Sequence, residues 1–400
     1  MSSRRHRSPS AAPLDDETLL PEILLRLPPQ PSSLPRASLV CKRWRGLVSD
    51  PGFLRRFRIH HRRSPPLLGC FVEEPHGISF LPALEAPNRL PACRLSFQSG
   101  YNNRFKLLNC RHGLVLIADK TRHHQFLVWD TITGDQYHLA VPALFDTEEV
   151  VLVNGAMLRA AGDTHHFQVV CVATRRLDLH RRQAALACVY SSETGAWGNL
   201  ISTPIQSDLD SQSSLHLYLF GITIMEAPAM LLGDSLYWTL TDDSSSILEF
   251  DLLRQSLAVM RMPKDVYKYE GHITVIRADS GGLGFLMLTD FTLQLWKRKI
   301  DCDGVASWGL EKTVELDKLL SLNPEKGSIM ILGFAEENKM VFLGTFIGLF
   351  ALQLHSLQFK KLSERTETKS ISHCHPIESV YTAETDVGGE HGRAELLNNA

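Results

Sequence analysis

The chain has 400 residues, of which 44% are hydrophobic and 22% charged, with a formal net charge of −2. This is the composition of an ordinary globular protein, and the length sets an expectation of more than one domain. The longest nearly uncharged apolar run, residues 340 to 354, is broken by Gly344 and Gly348 and is short of the roughly twenty residues that span a bilayer, so no membrane partner is expected.

Charge is unevenly placed along the chain. Residues 1 to 66 hold 13 of the 42 Lys+Arg but only 5 of the 44 Asp+Glu, so this segment nets about +8 and the rest about −10. The opening "MSSRRHRSPSAAP", residues 1 to 13, is polar and basic with no apolar core; a disordered tail is expected, not a signal peptide. Next, "LLPEILLRLPPQP" (19 to 31) sets Leu20, Ile23, Leu24 and Leu27 on one helical stripe that stops at Pro28-Pro29. In "PRASLVCKRWRGLVSDP" (35 to 51), Ala37, Val40, Cys41 and Trp44 recur at i, i+3, i+4, i+7, and Leu47 and Val48 continue the stripe. Lys42, Arg43 and Arg45 fill the other face. Ser33 can cap this helix and Pro35 suits its first turn, so one amphipathic helix is predicted over about 34 to 49, stopped by Asp50-Pro51-Gly52. Two short helices bury too little apolar surface to fold alone, so their apolar faces must pack on a partner or on the rest of the chain.

These residues, "LLPEILLRLPP" followed by "SLVCKRW", resemble an F-box, the motif that binds a Skp-type adaptor in cullin-based SCF ubiquitin ligases. The whole stretch "LPEILLRLPPQPSSLPRASLVCKRWR" is similar to F-box proteins of grasses. The pattern's opening Leu-Pro is replaced here by "LDDETLLP" (14 to 21), with Pro21 displaced toward the helix. By this resemblance, Leu20, Pro21, Ile23, Leu24, Leu27, Pro28, Leu34, Val40, Cys41 and Trp44 are the adaptor-binding residues. The basic run "FLRRFRIHHRR" (53 to 63) is interleaved with Phe53, Leu54, Phe57 and Ile59, which fits a linker helix better than a nucleic-acid contact. The acidic bulk of the chain argues the same way, because phosphates would be repelled.

Beyond Pro66 the texture changes to short strands with turn signals. One layout, an apolar strand, a polar turn and a second strand, recurs over 110 to 139, 186 to 200, 231 to 260, 282 to 299 and 339 to 362. "WDTITGD" and "YSSETGA" each place an aromatic five residues before a glycine, Gly134 or Gly195, as a tight turn between strands needs. Taking Trp129, Tyr190, Phe250, Trp296 and Leu352 as anchors of outer strands gives intervals of 61, 60, 46 and 56 residues. Such spacing marks a propeller of four-stranded blades. A further blade closed by residues 67 to 74 and 378 to 384 brings the number to about six. WD and kelch signatures are absent; the repeats resemble the F-box-associated β-propellers of plants. A β-sandwich or an irregular β-domain is the alternative.

Candidate chemistry is sparse. His373-Cys374-His375 could contribute zinc ligands but has no second Cys/His pair nearby. Cys110 and His112 with His123-His124 could form a nucleophile and base only if the fold gathered them, and "SGGLG" (280 to 284) lacks the Lys-Ser/Thr of a phosphate loop. Asp242-Asp243 with Ser244 to Ser246 lacks calcium-ligand spacing and reads as a hairpin loop. Trp129, Trp197, Trp238 and Trp296 should pack between blades, and Trp308 should be exposed. The eight cysteines are scattered singly with no CxxC, which points to a reduced intracellular setting without disulfides.

The resulting expectation is a multidomain α plus all-β chain, with a short N-terminal helical F-box before a β-propeller-like domain of about six blades. Its parts would be a disordered tail (1–13), F-box (14–54), basic linker (55–66), propeller-like substrate-recognition domain (67–384) and a second disordered tail (385–400). The implied role is the non-catalytic substrate receptor of an SCF ligase, in the cytoplasm or nucleus. Its partners would be a Skp-type adaptor, through it a cullin, and a protein target of unknown identity, with no catalytic residue, metal or cofactor. A scaffold without ubiquitin machinery, or a propeller enzyme, is the alternative. The stretch from 200 to 216 is a candidate long loop.

Overall fold

The computed structural model describes residues 18–74, 77–98, 104–119, 125–142, 145, 150–159, 166–177, 183–205, 222–241, 246–263, 272–279, 281–303, 305–364 and 371–382. The expected tails over 1–13 and 385–400, most of the candidate loop over 200–216, His123-His124, and Asp242 to Ser245 lie outside the described residues. The chain divides into two compact units, residues 1–62 with 380–400, and residues 63–379.

The smaller unit holds four helices: α1 (Leu19–Leu25), α2 (Ser33–Ser38), α3 (Lys42–Val48) and α4 (Pro51–His61). The single helix expected over about 34 to 49 is two helices. At the break the Ser38 hydroxyl donates to the Pro35 carbonyl at 2.6 Å, competing with the Leu39 N–H that would use the same acceptor in a continuing helix. Leu39 N–H donates instead to Arg36 O, Val40 N–H to Ala37 O, and Cys41 is extended (φ −162°, ψ 171°) before α3 begins. Asp50-Pro51-Gly52 stops α3 as expected and also starts α4, because the Asp50 carboxylate accepts from Phe53 N–H at 2.7 Å and Pro51 lacks the N–H that would be orphaned there. The basic run is therefore helical, and its Phe53 and Phe57 are buried with Leu20, Leu24, Leu25, Leu34, Ala37 and Val48 in one core.

The larger unit is a six-bladed propeller. Its six antiparallel sheets have four or five strands each and follow one another around a closed ring; innermost strands meet at five of the junctions, and the third blade meets the fourth through Met230–Leu232 and Ser235–Thr241. In blade order, these inner strands are Phe105–Arg111, Val150–Leu158, Thr223–Ile224, His272–Arg277, Ile329–Ala335 and Cys374–Glu378. Both faces of a blade are buried, and alternation along a strand decides which neighbour each side chain meets. In the second blade, Met157, Val169 and Cys171 pack toward the first blade, while Ala156, Val170 and Val172 pack toward the third.

The sixth blade joins the two ends of the propeller sequence. Cys374–Glu378 is its innermost strand and pairs antiparallel with Leu67–Glu74, which pairs with Gly77–Pro82. Closure thus uses 374–378 rather than the expected 378–384. Pairing ends at Ser379, whose N–H donates to Pro66 O at 3.3 Å. Pro376 is tolerated because an innermost strand is a sheet edge, where a missing N–H breaks no ladder.

The five sequence anchors occupy equivalent places, but on the third strand of each blade and not on the outermost. Trp129, Tyr190, Phe250, Trp296 and Leu352 lie opposite Val115, Val169, Leu236, Phe285 and Val341 of the second strand. The sixth anchor is Phe80, opposite Phe71, with the rings 5.6 Å apart. Five residues after an anchor, the turn to the fourth strand needs a left-handed residue, and four blades meet that need: Gly134 (φ 83°), Gly195 (φ 67°), Gln255 (φ 52°) and Leu357 (φ 58°). A side chain at Gly134 would meet nothing within 4 Å, so only the backbone opposes it. Gly134→Val should therefore cost about 1–2 kcal/mol, and Gln255→Gly should gain about 0.5 kcal/mol, read as shifts in urea-unfolding midpoints.

Candidate functional site

Each adaptor-face candidate has a defined place in the helical unit. Leu20 and Leu24 are 1% exposed and Leu34 is 7% exposed, so these three form the unit's own core. Pro21, Ile23, Leu27 and Trp44 are half-buried, and Pro28, Val40 and Cys41 are exposed. The structure thus separates the ten candidates into an inner set that builds the unit and an outer set that a partner can touch.

Two of the outer set, Val40 and Cys41, lie where α2 ends. Leu39, 77% exposed, and Val40, 61% exposed, project with Cys41 from the extended break before α3. Two adjacent, largely exposed aliphatic side chains make this ridge a candidate interaction surface. Leu39 was missing from the sequence-based set because a continuous helix would have turned it off the apolar stripe; the signal lay in Ser38, whose hydroxyl ends α2. Arg36, Lys42, Arg43 and Arg45, which flank the ridge in sequence, are exposed. The ridge therefore suits an apolar groove with acidic edges. Arg56 of α4 is paired with Glu22 of α1, and His61 Nε2 lies 2.8 Å from Leu25 O, so α4 braces the back of α1. Burial holds the His61 imidazole below its ordinary pKa despite that contact.

Polar crossbars tie the inner strands of the propeller. Arg111 at the end of the first blade's inner strand donates to both carboxylate oxygens of Glu336, beyond the fifth blade's inner strand, and to Ala229 O at 3.2 Å. Leu231 N–H also donates to Glu336 at 3.3 Å. Glu378 accepts from the N–H groups of Glu337 and Asn338 and from Asn338 Nδ2. Burial raises the pKa of Glu336, opposed by Arg111. Removing one partner strands a buried charge, so Arg111→Met should cost about 3–5 kcal/mol of propeller stability, most of it recovered in Arg111→Met/Glu336→Leu; chemical denaturation of the four members of the cycle reads this directly.

The remaining sequence candidates are placed as follows. His373-Cys374-His375 opens the closing strand. Cys374 is fully buried, and its thiol is pushed well above the ordinary range by a hydrogen bond to Cys70 and by burial. Among the described residues no group of three His, Cys, Asp or Glu could hold a metal. Burial also raises Cys110 above the ordinary thiol range, which disfavours the thiolate form. His112 occupies a left-handed turn position (φ 53°), and Gly281 (φ 89°) turns the chain between Arg277 and Leu283, as a blade turn. Trp129 and Trp238 are buried, and Trp197 and Trp296 are half-buried against blade aromatics. Trp308 is not exposed in a loop. It stands on the strand Ala306–Glu315, packs edge-on against Phe285 with centroids 5.0 Å apart, and donates to Arg261 O.

His375 is 1% exposed, and among the described residues its buried Nδ1 has no hydrogen-bond partner. Burial, with His373 and Lys106 nearby, depresses its pKa well below 6.5, so the folded state binds fewer protons than the unfolded one. Its contribution is complete above the unfolded value of 6.5 and is lost as pH falls toward the folded value. The propeller's melting temperature should fall between pH 7.5 and pH 5, and His375→Phe should make that fall smaller.

Comparison with known proteins agrees with this geometry. The F-box-like family model matches residues 17–60. The model "F-box protein AT5G49610-like, beta-propeller" matches residues 106–383, more than half of the chain. The F-box/kelch-repeat protein At1g15680 of Arabidopsis thaliana is 29% identical over 192 residues, 45% of each chain, so the match spans less than half of that relative. A second Arabidopsis thaliana F-box/kelch-repeat protein, At3g17280, is 22% identical over 292 residues, 68% of this chain and 66% of its own. Among solved structures, the periplasmic gluconolactonase PpgL of Pseudomonas aeruginosa overlaps 75% of this chain and 83% of its own at 10% identity and a TM-score of 0.42, which carries no functional inference. With an F-box-like helical module ahead of six closed blades, the chain belongs to the family of F-box proteins with an AT5G49610-like β-propeller.

Proposed function

We propose that this protein is the substrate-recognition subunit of an SCF ubiquitin ligase. The observation that carries the reading is the exposed Leu39-Val40-Cys41 ridge, flanked in sequence by exposed cations, on a helical unit that matches an F-box. The ridge, with Pro21, Ile23, Leu27, Pro28 and Trp44, docks into the apolar groove of a Skp-type adaptor. Leu20, Leu24 and Leu34 act from within by holding the helices that carry those residues. The adaptor joins the chain to a cullin, and the propeller holds a protein target near the conjugating enzyme that the cullin assembly recruits. The chain supplies proximity and orientation and no covalent step. Its rim loops carry the target specificity, as connecting segments on a rigid scaffold commonly do. The complex works in the cytoplasm, the nucleus or both.

The distinction between inner and outer residues shapes the test. Leu24→Ala would weaken the unit itself, whereas Leu39→Glu/Val40→Glu changes only exposed positions. The full-length chain should co-purify with a Skp-type adaptor and cullin. The double variant should lose both while keeping the wild-type unfolding profile, and Trp44→Ala should weaken adaptor binding by about 2 kcal/mol or more. Wild-type protein that captures neither, or a double variant that captures both as well as wild type, would sink the proposal.

A further inference from the structure

The helical core contains a residue from the far end of the chain. Val380 is 5% exposed and packs in one cluster with Leu20, Leu24, Leu34, Val48, Phe53 and Phe57. Tyr381 and Thr382 line the same place, against Leu34, Pro35, Ser38, Val48 and Leu54. Burial of both Val380 and Thr382 shows that the segment is packed and not merely draped over the helices. Thr382 is 5% exposed. The region matched as F-box-like, 17–60, contains none of these residues.

We infer that residues 380–382 are positioning residues for the adaptor face, so that the F-box of this protein is a composite of its N-terminal helices and a C-terminal segment. Helices of seven, six, seven and eleven residues cannot hold themselves and depend on a filled core. Val380 fills a slot in that core. Location then gives the functional consequence. Tyr381 and Thr382 line one small cavity with Pro35 and Ser38, the two residues hydrogen-bonded to each other at the end of α2, and the next three residues are the exposed ridge. The C-terminal segment thus supports from inside the break that presents Leu39, Val40 and Cys41 outside. Its removal frees the helix ends to fray, and the ridge loses its fixed shape before any ridge residue is altered. This inference rests on the adaptor reading for its function but not for its structural claim.

The test uses the full-length chain, wild type, Val380→Asp, Val380→Ala and Val380→Ile, with two readouts. The first is affinity for a purified Skp-type adaptor. Val380→Asp should weaken it roughly tenfold or more, while Val380→Ile, which keeps the slot filled, should stay within about threefold of wild type. The second is amide hydrogen exchange. Val380→Asp should speed exchange across α2 and α3 while amides in blade centres, such as Val170 and Phe285, keep their protection. If the aspartate also exposes the blades, Val380→Ala decides by the same two readouts. Unchanged exchange in α2 and α3 overturns the inference, even if adaptor binding falls, because Val380 would then be a direct contact. Faster exchange with unchanged affinity overturns it too. A wild-type chain that binds no adaptor defeats the adaptor reading, and with it the role of 380–382 as positioning residues; the exchange data then decide only whether the core is composite.

Discussion

Pairing between Leu67–Glu74 and Cys374–Glu378 joins segments about three hundred residues apart, and the other five blades depend on it. Each blade buries both faces against its neighbours, so an open ring would leave two apolar faces in water. The arrangement interleaves the chain ends. One strand from the C-terminal side lies inside three from the N-terminal side, so neither end can leave without taking apart a sheet. Loop closure over such a length costs little more than closure over a shorter one, because the entropy grows only with the logarithm of length. The register pairs from Leu67↔Glu378 to Val72↔Cys374, with the buried Cys70 and Cys374 side by side, are set against that cost.

The helical unit turns on a smaller feature. A hydroxyl group at Ser38 satisfies the Pro35 carbonyl, and the helix that periodicity would continue stops. Everything on the outer face follows from that stop. Leu39 and Val40 leave the helical stripe and become a ridge, Cys41 extends, and α3 restarts with Lys42 and Arg43 beside the ridge. The inner face is conventional: leucines of α1 meet phenylalanines of α4, and the Asp50 cap fixes where α4 begins.

Much of this was legible in the sequence. The blade number, the anchors and the left-handed turn positions at Gly134 and Gly195 follow from spacing, because every third strand meets the same second-strand neighbour and the same tight turn. Phe80 was missed since its blade is split between the chain ends, so the interval that would reveal it wraps around the sequence. Gln255 and Leu357 fill turn positions that glycine fills elsewhere, and hence carried no glycine signal. Gly309 beside Trp308 suggests a loop, whereas both residues are paired in a strand, Trp308 opposite Arg298 and Gly309 opposite Lys297. The helix break was hidden because period alone cannot weigh a side-chain hydrogen bond against a backbone one. Val380 was hidden because a core contact across the length of the chain leaves no local pattern.

The chemistry of the ridge limits which partner can use it. Cations at Arg36, Lys42, Arg43 and Arg45 would attract any polyanion, nucleic acid included. A phosphate backbone would engage those charges and leave Leu39 and Val40 in water, gaining nothing from the most exposed apolar side chains of the unit. A protein groove gains from both, since burying two aliphatic side chains contributes about 1.5–3 kcal/mol each and acidic edges can meet the arginines. The apolar ridge, more than the charge around it, is what distinguishes a protein partner. The propeller carries a net negative charge that would repel phosphates from most of the molecule, which leaves the cations to orient the encounter and the ridge to hold it.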